Sequence, residues 1–228
     1  VDDIDVVIND SSTLNPTEDG RIGQFIGYPG ISSDGQYACF TKAGGNLSST
    51  SIQFWKYDSP SGLWADIGTT ATPRTTGYYN GIGGGSFNGD GSLVAIASPS
   101  ASNTGGYIDI YERNGETFSL RESVYGNYPR FGFGCALSDD GMTLVSHSYV
   151  SKNLETFKWE NNEWNSVDDV NIGFVSYGQM DITPDGKRLV VPNTAPTPNN
   201  HVRVYDWVDG SWSHVDTITL SRTGARVY

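Results

Sequence analysis

Positive charge is scarce in this sequence: 14 Lys and Arg stand against 26 Asp and Glu, a formal net charge of −12. No Lys/Arg cluster offsets the deficit locally, so phosphate backbones and anionic lipid surfaces would be repelled, and nucleic acid is a poor partner. Long hydrophobic runs are missing as well. No stretch approaches the apolar length of a membrane span, and Val1 onward carries no charged-then-apolar signal, which argues against membrane insertion. Cysteine is limited to Cys39 and Cys135, too few for a disulfide framework, and both read as small apolar residues buried in strands. Methionine occurs twice, helix-favouring runs are few, and no 3.6-residue periodicity is visible, which disfavours repeats built from helices. The three histidines, His147, His201 and His214, read as belonging to three different repeats without ligand spacing, so zinc or a His-centred triad has little support.

What is abundant points to short strands and tight turns: 28 Gly, 13 Tyr and 6 Trp. One phrase occurs four times, as GYPGISSDGQYACF, GIGGGSFNGDGSLVAIA, FGFGCALSDDGMTLVSH and YGQMDITPDGKRLVV. Each joins two apolar runs through Asp-Gly, at Gly35, Gly91, Gly141 and Gly186. A second phrase follows each first one: SIQFWKYDSPSGLW, YIDIYERNGETF, LETFKWENNEW and VRVYDWVDGSW. It reads as a strand, a turn of Gly or Asn, and a strand opened by Trp64, Phe118, Trp164 or Trp212. Asp-Gly and Asn-Gly between alternating apolar residues are strong hairpin signals because they accept the positive φ of the turn. Two hairpins in a unit of about fifty residues match one propeller blade, which cannot bury both faces alone and must pack against neighbours. The fold expected is therefore all-β, a β-propeller of four-stranded antiparallel blades, with the opening aromatic of each fourth strand wedged between blades.

The expected boundaries are a partial blade and connector over 1–23, blades over 24–68, 81–124, 131–172 and 175–220, and a tail over 221–228. VDDIDVVIN at the N-terminus matches fourth-strand segments such as VDDVNIG and VDTITLS. The chain is thus expected to start and stop out of phase with ring closure, as a piece of a larger ring, which is the favoured reading, or as a ring closed through a shortened blade or completed by another chain.

The phrases resemble FG-GAP-type, integrin-like propeller repeats. Phe131 to Ser146 carries the Phe-Gly opening, the apolar-Ser strand, the Asp-Gly turn and the Leu-Val strand of that family, and Tyr107 to Phe118 and Val202 to Trp212 look like its second hairpin. The resemblance implies a calcium loop of alternating Asp/Asn ligands, but Ser86 to Gly91 offers one carboxylate, and Asp139-Asp140 are adjacent acids that alternate faces on a strand. All four Asp-Gly pairs therefore read as turns, with no metal and no cofactor.

Other chemistry finds little footing. Ser33-Asp34-Gly35 lacks the nearby Trp of a sialidase-type Asp-box, and Gly81 to Gly85 lack the Lys and helix of a P-loop. The acid pairs Asp2-Asp3 and Asp168-Asp169 read as solvated. The loops joining strands two and three, and strand four to the next strand one, should share a face rich in Ser, Thr and Asn. Tyr78, Tyr79, Tyr125, Tyr128 and Tyr177 are its candidate ligand-facing residues, since Tyr offers a flat apolar body with a hydroxyl. Asn9 and Asn46 sit in glycosylation triplets. These features lead to an expected non-enzymatic propeller, a structural, adhesive or protein-interaction module of an extracellular or surface assembly. Its partners would be proteins or glycans; a lectin-like propeller stands as the alternative and a propeller hydrolase as the third reading.

Overall fold

The computed structural model describes residues 29–43, 50–70, 84–99, 105–176, 178–193 and 201–219. These form four four-stranded antiparallel sheets, each built from consecutive strands, and no helix occurs among the described residues. The first blade holds β1 (Gly30–Ile31), β2 (Tyr37–Ala43), β3 (Thr50–Asp58) and β4 (Leu63–Thr70). The second holds β5 (Gly85–Phe87), β6 (Leu93–Ser98), β7 (Gly105–Asn114) and β8 (Thr117–Pro129). The third holds β9 (Phe131–Leu137), β10 (Thr143–Ser148), β11 (Asn153–Glu160) and β12 (Glu163–Asn171). The fourth holds β13 (Asp181–Ile182), β14 (Arg188–Asn193), β15 (His201–Val208) and β16 (Ser211–Thr219). This is the expected propeller of four-stranded blades. The segment expected to form a partial blade, 1–9, lies outside the described residues. One assignment needs correction: His201 and His214 belong to the same blade, on β15 and β16.

The four Asp-Gly phrases fold into one repeated turn. Gly35, Gly91, Gly141 and Gly186 all have φ between 65° and 70°, a left-handed conformation that a side chain penalises. In each turn the Asp carboxylate accepts the backbone N–H two residues on: Gln36 to Asp34, Ser92 to Asp90, Met142 to Asp140, Lys187 to Asp185. A polar side chain two residues before the Asp accepts the N–H that opens the second strand, Ser32 from Tyr37, Asn88 from Leu93, Ser138 from Thr143 and Thr183 from Arg188. The turns thus satisfy their own backbone groups. The second hairpins of the third and fourth blades use Asn161-Asn162 and Asp209-Gly210, all at positive φ, as type I′ two-residue hairpin loops require.

Blades stack through apolar faces. The forward face of the second blade supplies Ala95, Ala97, Ile108, Ile110 and Val124, which pack on Phe131, Cys135, Leu137, Leu144 and Phe157 of the third. Val145 and Leu154 of the third in turn meet Met180, Leu189, Val191, Tyr205 and Trp212 of the fourth. In the second, third and fourth blades the aromatic that opens the fourth strand packs into the seam with the preceding blade. Phe118 stacks on Phe54 of the first blade with ring centroids 4.2 Å apart, and the Trp212 indole N–H donates to Thr156 Oγ1 of the third at 2.8 Å. Both free cysteines are buried in these seams, Cys39 between the first two blades and Cys135 between the second and third. At the axis the first strands come close: a Cβ on Gly30 would lie 2.5 Å from the Gly85 carbonyl oxygen, so glycine there permits the approach.

Truncating Phe118 to Ala should lower the unfolding free energy by about 3–5 kcal/mol, whereas truncating Leu63, an exposed strand residue, should change it little. Urea denaturation of the two variants checks this, and equal losses would contradict the wedge.

Candidate functional site

The register pair Ser148↔Phe131 sets the end of a second strand beside the start of a first strand. The loops between strands two and three therefore share one face with the connections that enter each blade. On this face the seam between the second and third blades gathers polar side chains from three strands. Asn127 and Tyr128 close β8, Asn153 and Glu155 open β11, and Asp169 and Asn171 close β12.

Glu155 and Asp169 are direct partners across the β11–β12 ladder, so two carboxylates occupy adjacent positions where like charges repel. Their surroundings separate them. Glu155 is fully buried, and its carboxylate accepts the Asn127 backbone N–H at 2.9 Å and the Asn127 side-chain amide at 3.0 Å. Burial raises its pKa above the usual carboxylate range, the Asn127 backbone N–H opposes that, and the charge of Asp169 adds to the rise. Asp169 lies at the exposed edge. It accepts the Tyr128 hydroxyl and the Asn153 side-chain amide, and the Asn153 Oδ1 accepts the Asn171 amide at 3.1 Å. The hydrogen bond to Asp169 holds the Tyr128 phenol above its ordinary value. The pair thus places one carboxyl that retains its proton to higher pH behind a carboxylate that meets solvent.

The location follows from the repeat. A β-bulge recurs in the outer hairpin of every blade, between Phe54/Trp55, Ile110/Tyr111, Thr156/Phe157 and Val204/Tyr205. The third-strand residue just before each pair is Gln53, Asp109, Glu155 or Arg203, a polar residue flanked on its N-terminal side by Ile52, Ile108, Leu154 or Val202. Two of these tie down the connection that enters their own blade: Glu155 through Asn127, and Arg203 by donating to the Ile172 carbonyl at 3.1 Å.

A second polar cluster lies between the third and fourth blades. His147, buried on β10, meets the Ser176 carbonyl through Nε2 at 2.5 Å. Its Nδ1 and the buried Ser176 hydroxyl find no partner among the described residues. Burial pushes the imidazole down to about 4, against the opposing Ser176 contact, so it is neutral at pH 7. A histidine and a serine without an orienting acid do not make a triad. Among the described residues no three His, Cys, Asp or Glu side chains gather closely enough to hold an ion.

Of the candidate ligand-facing tyrosines, Tyr78, Tyr79 and Tyr177 lie outside the described residues, as do Asn9 and Asn46. Tyr125 and Tyr128 fall within β8 rather than in a connecting loop. Tyr125 is exposed, with its ring 6.2 Å from Tyr107, and Tyr128 reaches Asp169. The acid pair at 168–169 is not simply solvated. The two side chains diverge, Asp168 accepting the Trp212 backbone N–H at 3.2 Å and the Ser211 hydroxyl at 3.1 Å across the next seam. Glu155, Asn127 and Asn153 went unnoticed in the sequence; aligning the four second hairpins on their polar third-strand position would have exposed Glu155.

No family model and no curated protein sequence matches the chain, so the likeness to FG-GAP-type repeats rests on the residues quoted for it. Solved structures do match. A candidate 6-phosphogluconolactonase from Bacteroides uniformis aligns with a TM-score of 0.56 at 16% identity, over 84% of this chain and 56% of its own. The periplasmic gluconolactonase of Pseudomonas aeruginosa aligns at 0.58 and 16%, over 87% and 55%. Hydrazine synthase of Kuenenia stuttgartiensis aligns at 0.56 and 16%, over 88% and 50%. The chain spans about half the length of these three. Such likeness establishes the architecture. It also corrects two expectations, that the chain is not an enzyme and that it serves as a non-enzymatic structural, adhesive or lectin-like module. Both drew on the missing catalytic motifs and on loop composition, whereas the propeller form is here shared with proteins named as lactonases.

The neutral His147 gives a pH signature. Its folded pKa lies below the ordinary 6.5, so its contribution is present above pH 6.5 and is lost as pH falls toward about 4. Blade two carries Ala97 at the equivalent position. Between pH 7 and pH 4 the wild type should therefore lose about 3 kcal/mol more unfolding free energy than His147→Ala; parallel pH profiles in urea melts would refute this.

Proposed function

We propose that the chain is the site-bearing part of a propeller hydrolase acting on a small ester or lactone, with Asp169 as general base. The observation that carries this is the cross-strand pair Glu155 and Asp169, one buried with its pKa raised by burial, the other facing solvent and receiving the Tyr128 hydroxyl. A solvent-facing carboxylate held by oriented donors beside a buried carboxyl is an arrangement that acid–base chemistry can use. The names of the structural neighbours support the same class, since two of the three act, by name, on a sugar lactone.

In the reaction, water bonds to the acyl carbon and gives its proton to an Asp169 oxygen. The ring or ester C–O bond breaks as the tetrahedral intermediate collapses. The departing alkoxide takes the proton from Asp169, leaving acid and alcohol products and the carboxylate restored. Tyr128 and Asn153 orient Asp169 by donating to it. Glu155 holds the Asn127–Tyr128 strand end in place, so it is a positioning residue.

Gluconolactone hydrolysis followed by proton release in weak buffer tests the proposal. The wild type should exceed the buffer rate. Asp169→Asn should lose roughly 100-fold or more in kcat, Tyr128→Phe less, and the exposed Val167→Ala should be unchanged. A wild type no faster than buffer on gluconolactone and on an aryl ester sinks it.

A further inference from the structure

Among the described residues, those other than glycine with a positive φ are Arg130, Lys152, Asn161, Asn162 and Asp209. The last three form outer hairpin turns. Arg130 and Lys152 do not: each stands one residue ahead of a strand, β9 and β11, on the face that carries Asp169. Side chains are uncommon in this conformation and gather at working sites.

The turn from Ser148 to Lys152 brings the two together. The Tyr149 N–H donates to the Arg130 carbonyl at 3.4 Å, the Ser148 hydroxyl to the Pro129 carbonyl, and the Lys152 N–H to the Ser148 carbonyl at 3.0 Å. The same stretch carries both residues that orient Asp169. Tyr128 lies two positions before Arg130, and Asn153 follows Lys152. Two residues of extended chain span about 7 Å, a distance that a monosaccharide-sized lactone bridges.

Their charges are left open. Lys56, Arg121 and Arg188 have carboxylate partners, and Arg113, Lys158 and Arg203 donate to oxygens of the chain. The side chains of Arg130 and Lys152 do neither among the described residues. The Arg130 guanidinium carbon stands 5.6 Å from the Tyr149 ring centre, and its Nε is buried without an acceptor. In a chain of net charge −12, two cations without counter-charge mark a spot to which an anion is drawn. The planar fork of arginine fits carboxylate and phosphate oxygens in pairs.

We propose that Arg130 and Lys152 hold an anionic group, a carboxylate or a phosphate, at the end of the substrate remote from the carbon on which Asp169 acts. That the bound molecule is a substrate rests on the hydrolase reading; the anion site itself rests on the geometry of the turn.

Titration calorimetry with glucuronate, glucose 6-phosphate and glucose tests it, since the three carry a carboxylate, a phosphate or no charge and none contains a carboxylic ester. The wild type should bind at least one charged sugar roughly tenfold or more tighter than glucose, and the tighter of the two identifies the anion. Arg130→Gly and Lys152→Gly suit the left-handed backbone, and circular dichroism checks their folding. Each should lose most of the preference for the charged sugar, whereas Val150→Ala, exposed on the same turn, should keep it. Equal affinity for all three sugars, binding of none, or a preference that survives both glycine variants overturns the proposal. Lactone turnover separates the two readings. Charged sugars held through Arg130 without hydrolysis of any lactone leave the anion site standing and sink the hydrolase; gluconolactone hydrolysis without the charge preference does the reverse.

Discussion

Everything in this molecule depends on one contact repeated: the forward face of one sheet pressed against the rear of the next, with an aromatic ring driven between them. A four-stranded sheet has two faces and can hide only one alone, so its stability is borrowed from its neighbours. Hence Phe118 is buried against Phe54, and Trp212 against Thr156. Side-by-side stacking also fixes where polar residues can go. The third-strand positions that precede each bulge sit inside a seam, so Glu155 and Arg203 must find partners there, and they find them in the chain entering the blade.

The candidate site grows out of that necessity. Glu155 is held by Asn127 because a buried carboxyl needs donors. Asp169 lies beside it because the ladder sets position 155 opposite 169. The two acids would be ordinary apart. Together, at the boundary between seam and solvent, one is enclosed and the other exposed while they remain adjacent. That combination is a property of the blade interface, and the same fold in hydrazine synthase shows that the scaffold itself leaves the chemistry open.

Much of the architecture was legible because its signals are local. Asp-Gly at Gly35, Gly91, Gly141 and Gly186 demands a positive-φ turn wherever it is read, and the aromatics at 118 and 212 are placed by counting from the next turn. The site was less legible because it is assembled across blades. Tyr128 stood out by composition, yet its partner Asp169 was read as a solvated acid, since adjacency in sequence says nothing of which seam each side chain enters. Glu155 looked like one more strand residue. Its burial depends on Asn127, separated from it by 28 positions, and only the stacking of blades brings them together. The function expected from loop composition failed for the same reason: loops report what is exposed, whereas reactivity is set by what is enclosed.

The Asp-Gly turns are joined to one another as well as to themselves. Asp34 N–H donates to the Gly89 carbonyl at 3.3 Å, Gly89 N–H to the Asp139 carbonyl at 3.0 Å, and the Ser33 hydroxyl to the Asp139 carboxylate at 2.8 Å. This makes a belt of main-chain links along the rim opposite the carboxylate pair. Because most of these links run through backbone groups, they tie the first three blades together at that rim whatever side chains the turns carry.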